Sequence, residues 1–384
     1  MRNHYFDHAA ATPMHPEVAK AMLAVMQGPG GNSSSMHAFG RVAKQQLNRA
    51  RDSIAAALGC KPAELLFTSG GTESDNAALI GAARAQRKRG KNHIITSAGE
   101  HHAVLHTCEW LAKEEGFTVT VLPVDQTGQT SPALIQAAMT PETGLISIMH
   151  GNNEVGTLNP IEEIGQIAKA GGAVFHVDAV QSLSWTAYRL NELPVDLMSF
   201  SSHKINGPQG VGALYVAAGT PLDAIQHGGS QERKRRAGTE NIAGIVGFAA
   251  AVDICVNERE NKQPLMDKLR KRWIELLKEQ VEVPIIINGS EQHYLPHIVN
   301  ISFIGVDTET MLMNLDMEGI AAASGSACTS GALERSHVLR AMALPQEQID
   351  SAVRFSFGLG NTLEELEDAA QKVGTIVRRI RNNY

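Results

Sequence analysis

Cysteine is scarce and scattered in this chain: Cys60, Cys108, Cys255 and Cys328 are its four, with no CxxC pair and no metal-binding spacing. That argues against a disulfide framework or a zinc module, and for reduced thiols in a cytoplasm. No apolar run reaches the length of about 18 residues that a spanning helix needs, so no membrane segment is expected. The N-terminus, MRNHYFDHAAATP, has no apolar stretch of the kind a secretory signal carries. An excess of positive charge is also missing, the net charge being -6. Phosphate backbones call for a basic surface, so direct nucleic-acid binding is not expected. The one basic cluster, Arg233–Arg236 (RKRR), either lines an interface or steers an acidic partner. Internal repeats and low-complexity segments are absent. With 43% hydrophobic and 19% charged residues, the 384-residue chain has the composition of a globular protein and the length for one large domain or two.

What is present is a repeated alternation of strand and helix. LLFTSGG, HIITSAGE, TVTVLPV, LISIMHG, AVFHVDA and VDLMSFSS read as short apolar strands, and most of the segments between them have helical spacing. This pattern predicts an α/β fold with a mostly parallel sheet and helices on both faces. Ligands bind such sheets beyond the carboxyl ends of the strands, where the polar residues collect here. His101–His102, Asn152–Asn153, Asp178–Gln181 and Ser201–Lys204 each follow a strand. After Tyr215 comes a charged, glycine-bounded loop and then a long helix from Ile242 to about Glu279, in which Pro264 is expected to mark a break and a domain boundary. The remainder reads as a smaller α+β unit.

Lys204 lies where a strand opens into the glycine-rich turn SSHKINGPQGVG. An amine so placed can have its pKa lowered and serve as a nucleophile or Schiff base, although a lone turn lysine is more often plain surface. Asp178 ends the preceding strand, and a buried carboxylate there needs a cation or a strong donor. The turn Gly70–Thr72 leads a strand into a helix start, whose free N–H groups and dipole suit a phosphate. Pyridoxal phosphate needs all three: a lysine for its aldehyde, an acid for its ring nitrogen, and a phosphate cradle. The ring also needs a stacking partner, and an imidazole from the EHH loop can serve, the alternative for His102 being a core histidine. Cys328 sits in SGSACTSG, whose small residues predict a mobile, exposed and reactive thiol. The other three cysteines read as packing residues. Arg354, in the strand AVRFSFG, either solvates or forks a substrate carboxylate.

The motifs YFDHAAATP, TSGGTESDN, EHHAV, GNNEVG, HVDAVQS, SSHKINGPQGVG, RAGTEN and SGSACTSG with SHVLRAM together resemble the cysteine desulfurases of the NifS/IscS type, from Tyr5 to about Gly360. The cysteine motif is similar to that of the family's first group. The resemblance implies a fold-type I, pyridoxal-phosphate-dependent homodimer. Its large domain would be residues 15–258, and its small domain residues 1–14 with 259–384. It further implies that Lys204 carries the cofactor aldehyde, Asp178 pairs with the pyridine nitrogen, Gln181 approaches the ring 3-oxygen, and His102 stacks and shuttles protons. Gly71, Thr72, Ser201 and His203 would bind the phosphate, joined by Thr239 of the second subunit. Asn153 and Arg354 would hold the substrate. The implied reaction takes sulfur from L-cysteine, leaving alanine and a persulfide on Cys328 that passes to an acceptor protein, for iron–sulfur clusters or tRNA thiolation. A selenocysteine lyase, an aminotransferase or a kynureninase-like hydrolase would share fold and cofactor, but transamination needs no thiol at Cys328. One departure stands out: FDHAAATP replaces a DNAATTP-like form, which leaves the hydrogen bonding around His8 and Ala11 open.

Overall fold

The computed structural model describes residues 3–325 and 335–382. The chain begins with β1 (His4–Tyr5), α1 (Pro16–Met26), α2 (Ala38–Leu58), β2 (Leu65–Thr68) and α3 (Gly71–Arg87). Next come β3 (His93–Ser97), α4 (His102–Glu115), β4 (Thr118–Leu122), α5 (Pro132–Ala138) and β5 (Thr143–Ser147). They are followed by α6 (Ile161–Ala170), β6 (Val174–Asp178), β7 (Leu197–Ser201), β8 (Gly212–Val216) and α7 (Ile242–Gln280). The last part holds β9 (Ile285–Asn288), β10 (Ile298–Phe303), α8 (Thr308–Met317), β11 (Ile320–Ala321), α9 (His337–Ala341), α10 (Gln346–Asp350), β12 (Ala352–Ser356) and α11 (Leu363–Asn382).

Seven strands form one sheet in the order β2-β8-β7-β6-β5-β3-β4. The pairings β3–β4, β3–β5, β5–β6 and β6–β7 are parallel, whereas β8 runs antiparallel to both β7 and β2. Strands β5 to β8 are buried at every position, which explains why they read as near-continuous apolar runs. Strand alternation divides their side chains between two cores. Phe175 and Val177 of β6, with Met198 and Phe200 of β7, face the core built on α2, α6 and α7. Val174 and Leu197 face the opposite core, against α3 and α4. By period two, His176, Asp178, Ser199 and Ser201 share the α3 side.

A second sheet, β12-β10-β9, is antiparallel and packs on the later part of α7 and on α11. The N-terminal segment belongs to this core: β1 pairs with β11, and the Phe6 ring meets Trp273 and Phe357 edge-on at 5.4 and 5.3 Å. The expected break at Pro264 does not occur, since α7 is one helix of 39 residues that runs through it. Proline there removes a hydrogen bond to the carbonyl of Glu260, and the helix around both residues is largely solvent-exposed, so water can satisfy the freed carbonyl. The helix joins the two cores, with Phe248 and Val252 in the first and Met266 to Leu277 in the second. No helix among the described residues is long and apolar enough to cross a membrane.

Candidate active site

The polar strand ends converge on a cavity of about 230 Å³ between the large sheet, the N-terminal segment and β12. Lys204 reaches it from a short 3-10 turn, Ser202–Lys204, directly after β7. Its Nζ donates to the carbonyls of Ala9 and Ala10 at 2.6 and 2.8 Å. The departing motif FDHAAATP is therefore the bed of the lysine. It is fastened there by the Thr12 hydroxyl on the His203 carbonyl (2.7 Å) and by the Asn206 amide on the Pro13 carbonyl (2.8 Å). The hydrogen bonding that the sequence left open is now defined: Tyr5 donates to the Ala11 carbonyl at 2.8 Å, and the His8 ring is buried against Gly358.

Asp178 ends β6 inside the cavity, and its Oδ1 accepts the Val180 amide at 2.9 Å. Burial pushes its carboxyl up to about 6, against that amide and the Lys204 charge, which both lower it. An acid in this position can hold a proton on a ring nitrogen opposite it. Gln181, three residues on, lines the same cavity and donates to the Ala9 carbonyl at 2.8 Å.

Another part of the cavity is made for an anion. Gly70 takes φ +154°, and Gly71 opens the 17-residue α3. A Cβ on Gly71 would stand 2.7 Å from Cγ2 of Val180, so only glycine lets the backbone amides pass this close. Thr72 adds a hydroxyl, and Ser201 Oγ is hydrogen-bonded to His203 Nδ1 at 2.9 Å. Burial and then the Lys204 charge hold His203 down at about 4, so its imidazole is neutral at physiological pH.

Arg354 is buried and faces the cavity. Its strand neighbours Val353 and Phe355 point into the second core, which turns the guanidinium to the other face. Nη1 donates to the Asn153 carbonyl and Nη2 to Asp7 Oδ1, both at 2.8 Å. Asn153 itself lines the cavity beside it.

One expected residue is displaced. His102 does not line this cavity; His101 does. His102 is the first residue of α4 and lies on its outer side, with its ring 4.7 Å from that of His106 and 4.4 Å from that of His337. His101 is the N-cap, whose Nδ1 accepts the Ala103 amide at 3.1 Å, and the cap position turns its ring to the strand ends. Burial first, then Lys204, holds His101 down at about 4. His101, and not the expected His102, is accordingly the imidazole that faces this cavity. The capping geometry was the available signal, because the last residue before a helix is the one that faces its N-terminal end.

Thr239 is exposed and apart from this cavity, on a loop pinned by the buried Arg51–Glu232 ion pair and by Arg236 on Glu73 at 2.8 Å. Cys328 lies outside the described residues. On one side of it Ala323 exchanges two backbone hydrogen bonds with Arg354, and on the other Ser336 donates to the buried Glu154. Asp75 is a cavity residue that the sequence reading passed over.

The residues present fit pyridoxal phosphate. They combine an amine, a buried acid for the ring nitrogen, the imidazole that caps α4 and a glycine-opened helix start for the phosphate, all around one cavity. Comparison with known proteins agrees. Residues 4–368 match the aminotransferase class-V family. The chain is 47% identical over 379 residues to the cysteine desulfurase IscS of Methanosarcina thermophila, covering 98% of this chain and 93% of the relative. Among solved structures it is similar to a NifS-like protein, with a TM-score of 0.92 at 35% identity, covering 98% of this chain and 100% of that one. It is also similar to SspA in complex with cysteine, with a TM-score of 0.82 at 33% identity, covering 92% and 98%.

Proposed function

The chain belongs to the class-V aminotransferase family and, within it, to the cysteine desulfurases of the NifS/IscS type, and from that premise we propose that it is a fold-type I pyridoxal-phosphate enzyme that takes sulfur from L-cysteine, leaving L-alanine and a persulfide on Cys328. The observation that carries this reading is the convergence of Lys204, Asp178 and the Gly71–Thr72 helix start on one cavity. Bound there, the cofactor supplies an electron sink that acidifies the substrate's α-carbon and loosens its carbon–sulfur bond.

The protein's own residues then divide the work. Gly71, Thr72, Ser201 and His203 hold the phosphate, and Asp178 keeps the ring nitrogen protonated. Arg354, forked and already aligned by Asn153 and Asp7, takes the substrate carboxylate. His101 would cover the ring, and Gln181 would approach its 3-oxygen. The Lys204 amine, steadied by the Ala9 and Ala10 carbonyls, removes the α-proton. The Cys328 thiolate attacks the substrate sulfur and forms a sulfur–sulfur bond as the carbon–sulfur bond breaks. The electron pair of the broken bond stays with carbon, which is protonated on the way to alanine, and the transferred atom becomes the outer sulfur of the persulfide.

In this reading residues 15–258 are the cofactor domain, with 1–14 and 259–384 forming the smaller one. The enzyme works as a cytoplasmic homodimer in which each subunit lends Thr239 to the phosphate of the other. The exposed position of Thr239 on a firmly pinned loop supports that arrangement. A scaffold or sulfur-carrier protein receives the sulfur, for iron–sulfur cluster assembly or tRNA thiolation.

The test is turnover by the purified, cofactor-loaded protein with L-cysteine and a thiol reductant. Alanine and sulfide are expected in equal amounts, and Cys328→Ala should lower both by roughly a thousandfold or more, as loss of a nucleophile does. Alanine and sulfide at an undiminished rate from Cys328→Ala would overturn the assignment.

A further inference from the structure

Three carboxyl groups, not one, are buried around the Asp178 end of the cavity. Asp75 of α3 and Asp178 of β6 both line it, and Glu100 lies behind them in the loop before α4; all three are buried. Glu100 is occupied, since its Oε1 accepts the Met149 amide at 2.9 Å and the Ser97 hydroxyl at 3.0 Å. Asp178 has the Val180 amide and feels the charge of Lys204. Asp75 is served least: it is 1% exposed, and its Oδ1 has no hydrogen-bond partner.

The groups facing Asp75 form a row across three strands. Ser147 Oγ is hydrogen-bonded to His176 Nδ1 at 2.8 Å, and His176 Nε2 to Ser199 Oγ at 2.9 Å. Asp75 faces this row: the Ser199 hydroxyl acts to lower its carboxyl, and its Oδ1 lies 3.5 Å from His176 Nε2. Burial holds His176 down at about 3, so the row contains no cation at neutral pH. If Ser147 donates to Nδ1, the imidazole carries its hydrogen on Nε2 and gives it to Ser199, and the Ser199 hydroxyl is left to donate to Asp75. Every donor in the row is then committed, and none remains for the second Asp75 oxygen. A carboxylate with an orphaned oxygen, buried near two other acids, is the form such a site disfavours most.

We infer that Asp75 is a positioning residue for the cofactor: as an uncharged acid, bonded through Ser199 to His176, it walls the cavity and leaves Asp178 as the one negative charge at the ring nitrogen. This rests on the pyridoxal-phosphate reading of the site. Burial pushes Asp75 well above the usual carboxylate range, with the Asp178 charge as the next cause, and pushes Glu100 up to about 8. The same electrostatics therefore leaves Asp178, the acid beside Lys204, as the first of the three to ionise.

The experiment titrates apo-protein with pyridoxal 5'-phosphate and follows the visible absorption of the bound cofactor across the neutral pH range, with no substrate present. Wild type, Asp75→Asn and Asp75→Ala are compared. Asparagine keeps the shape and neutrality of a protonated acid. It should retain wild-type affinity within about threefold and leave the absorption midpoint in place, whereas Asp75→Ala should bind about tenfold more weakly. Ser199→Ala, which removes the shared hydroxyl, should weaken binding in the same direction, and it keeps the test open if Asp75→Ala does not fold. A displaced midpoint in Asp75→Asn, or affinity as poor as that of the alanine variant, would mean that Asp75 carries charge and would overturn the proposal. Wild-type affinity in Asp75→Ala and Ser199→Ala would overturn it as well. Wild-type protein that takes up no cofactor would instead remove the reading on which the proposal stands.

Discussion

His101 and His102 are neighbours in sequence with different surroundings. One caps a helix and looks into the cavity; the other begins the helix and joins a histidine stack outside it. A histidine that covers the ring and moves protons is worth about a hundredfold or more in rate. His101→Ala should therefore lower kcat by at least about a hundredfold, while His102→Ala stays within about threefold of wild type. Steady-state alanine formation by the two variants decides the matter, and the reverse order would restore His102 to the site. The two residues also show where sequence reading stops. The EHH loop could be placed at a strand end, but choosing between adjacent histidines needed the helix start to within one residue. Arg354 was ambiguous for a related reason. Its strand is buried along its whole length, so polarity alone could not assign a side until Val353 and Phe355 were seen in the second core.

At the scale of elements, the loop that carries Thr239 is held by a charge on the edge strand of the large sheet. Glu232 forms an ion pair with Arg51, whose guanidinium also covers the Phe67 ring at 4.4 Å and donates to the Leu65 carbonyl at 2.7 Å. The same carboxylate accepts the Phe67 amide at 3.0 Å, so it occupies a donor that the open edge of β2 would otherwise expose. Glu232, Arg233 and Lys234 all adopt positive φ, at 44°, 56° and 64°, a cost that only a firmly anchored loop sustains. Removing one member of a buried pair strands the other. Glu232→Ala is accordingly expected to lower the unfolding free energy by about 3–5 kcal/mol in urea titration. A change near zero would mean that the pair does not anchor the loop. The sheet itself was legible from the strand–helix alternation, because fully buried strands announce themselves as apolar runs. The continuity of α7 was not, since a proline on a solvated stretch of helix leaves the same sequence trace as one that ends it.

The molecule as a whole stores buried titratable groups of both kinds, and they act on stability in opposite directions. His8, His101, His150 and His203 are held down at about 4 and His176 at about 3, in each case chiefly by burial. A folded value below the unfolded one of about 6.5 gives stability that is complete above that pH and lost as pH falls toward about 4. Asp178 and Glu100 have raised values, about 6 and about 8. Their contribution is complete below the ordinary carboxylate range and lost as pH rises through those values. Melting temperature in the cofactor-free protein should thus fall on both sides of a maximum near neutrality. In the proposed reading a bound cofactor would set a cation against Asp178 and favour its charged form, so the thermal gain from added pyridoxal 5'-phosphate should be larger on the alkaline side. Differential scanning fluorimetry with and without cofactor checks this, and an equal gain at all pH values would contradict it.

The division of labour between a fixed cofactor lysine and a separate cysteine is the central claim, and the most direct test is the mass of the Cys328 peptide. Cofactor-loaded protein is given L-cysteine without reductant, quenched and digested. One added sulfur atom is expected on Cys328 in the wild type and in His102→Ala, and none in Lys204→Ala. An unmodified Cys328 peptide while alanine accumulates would contradict it.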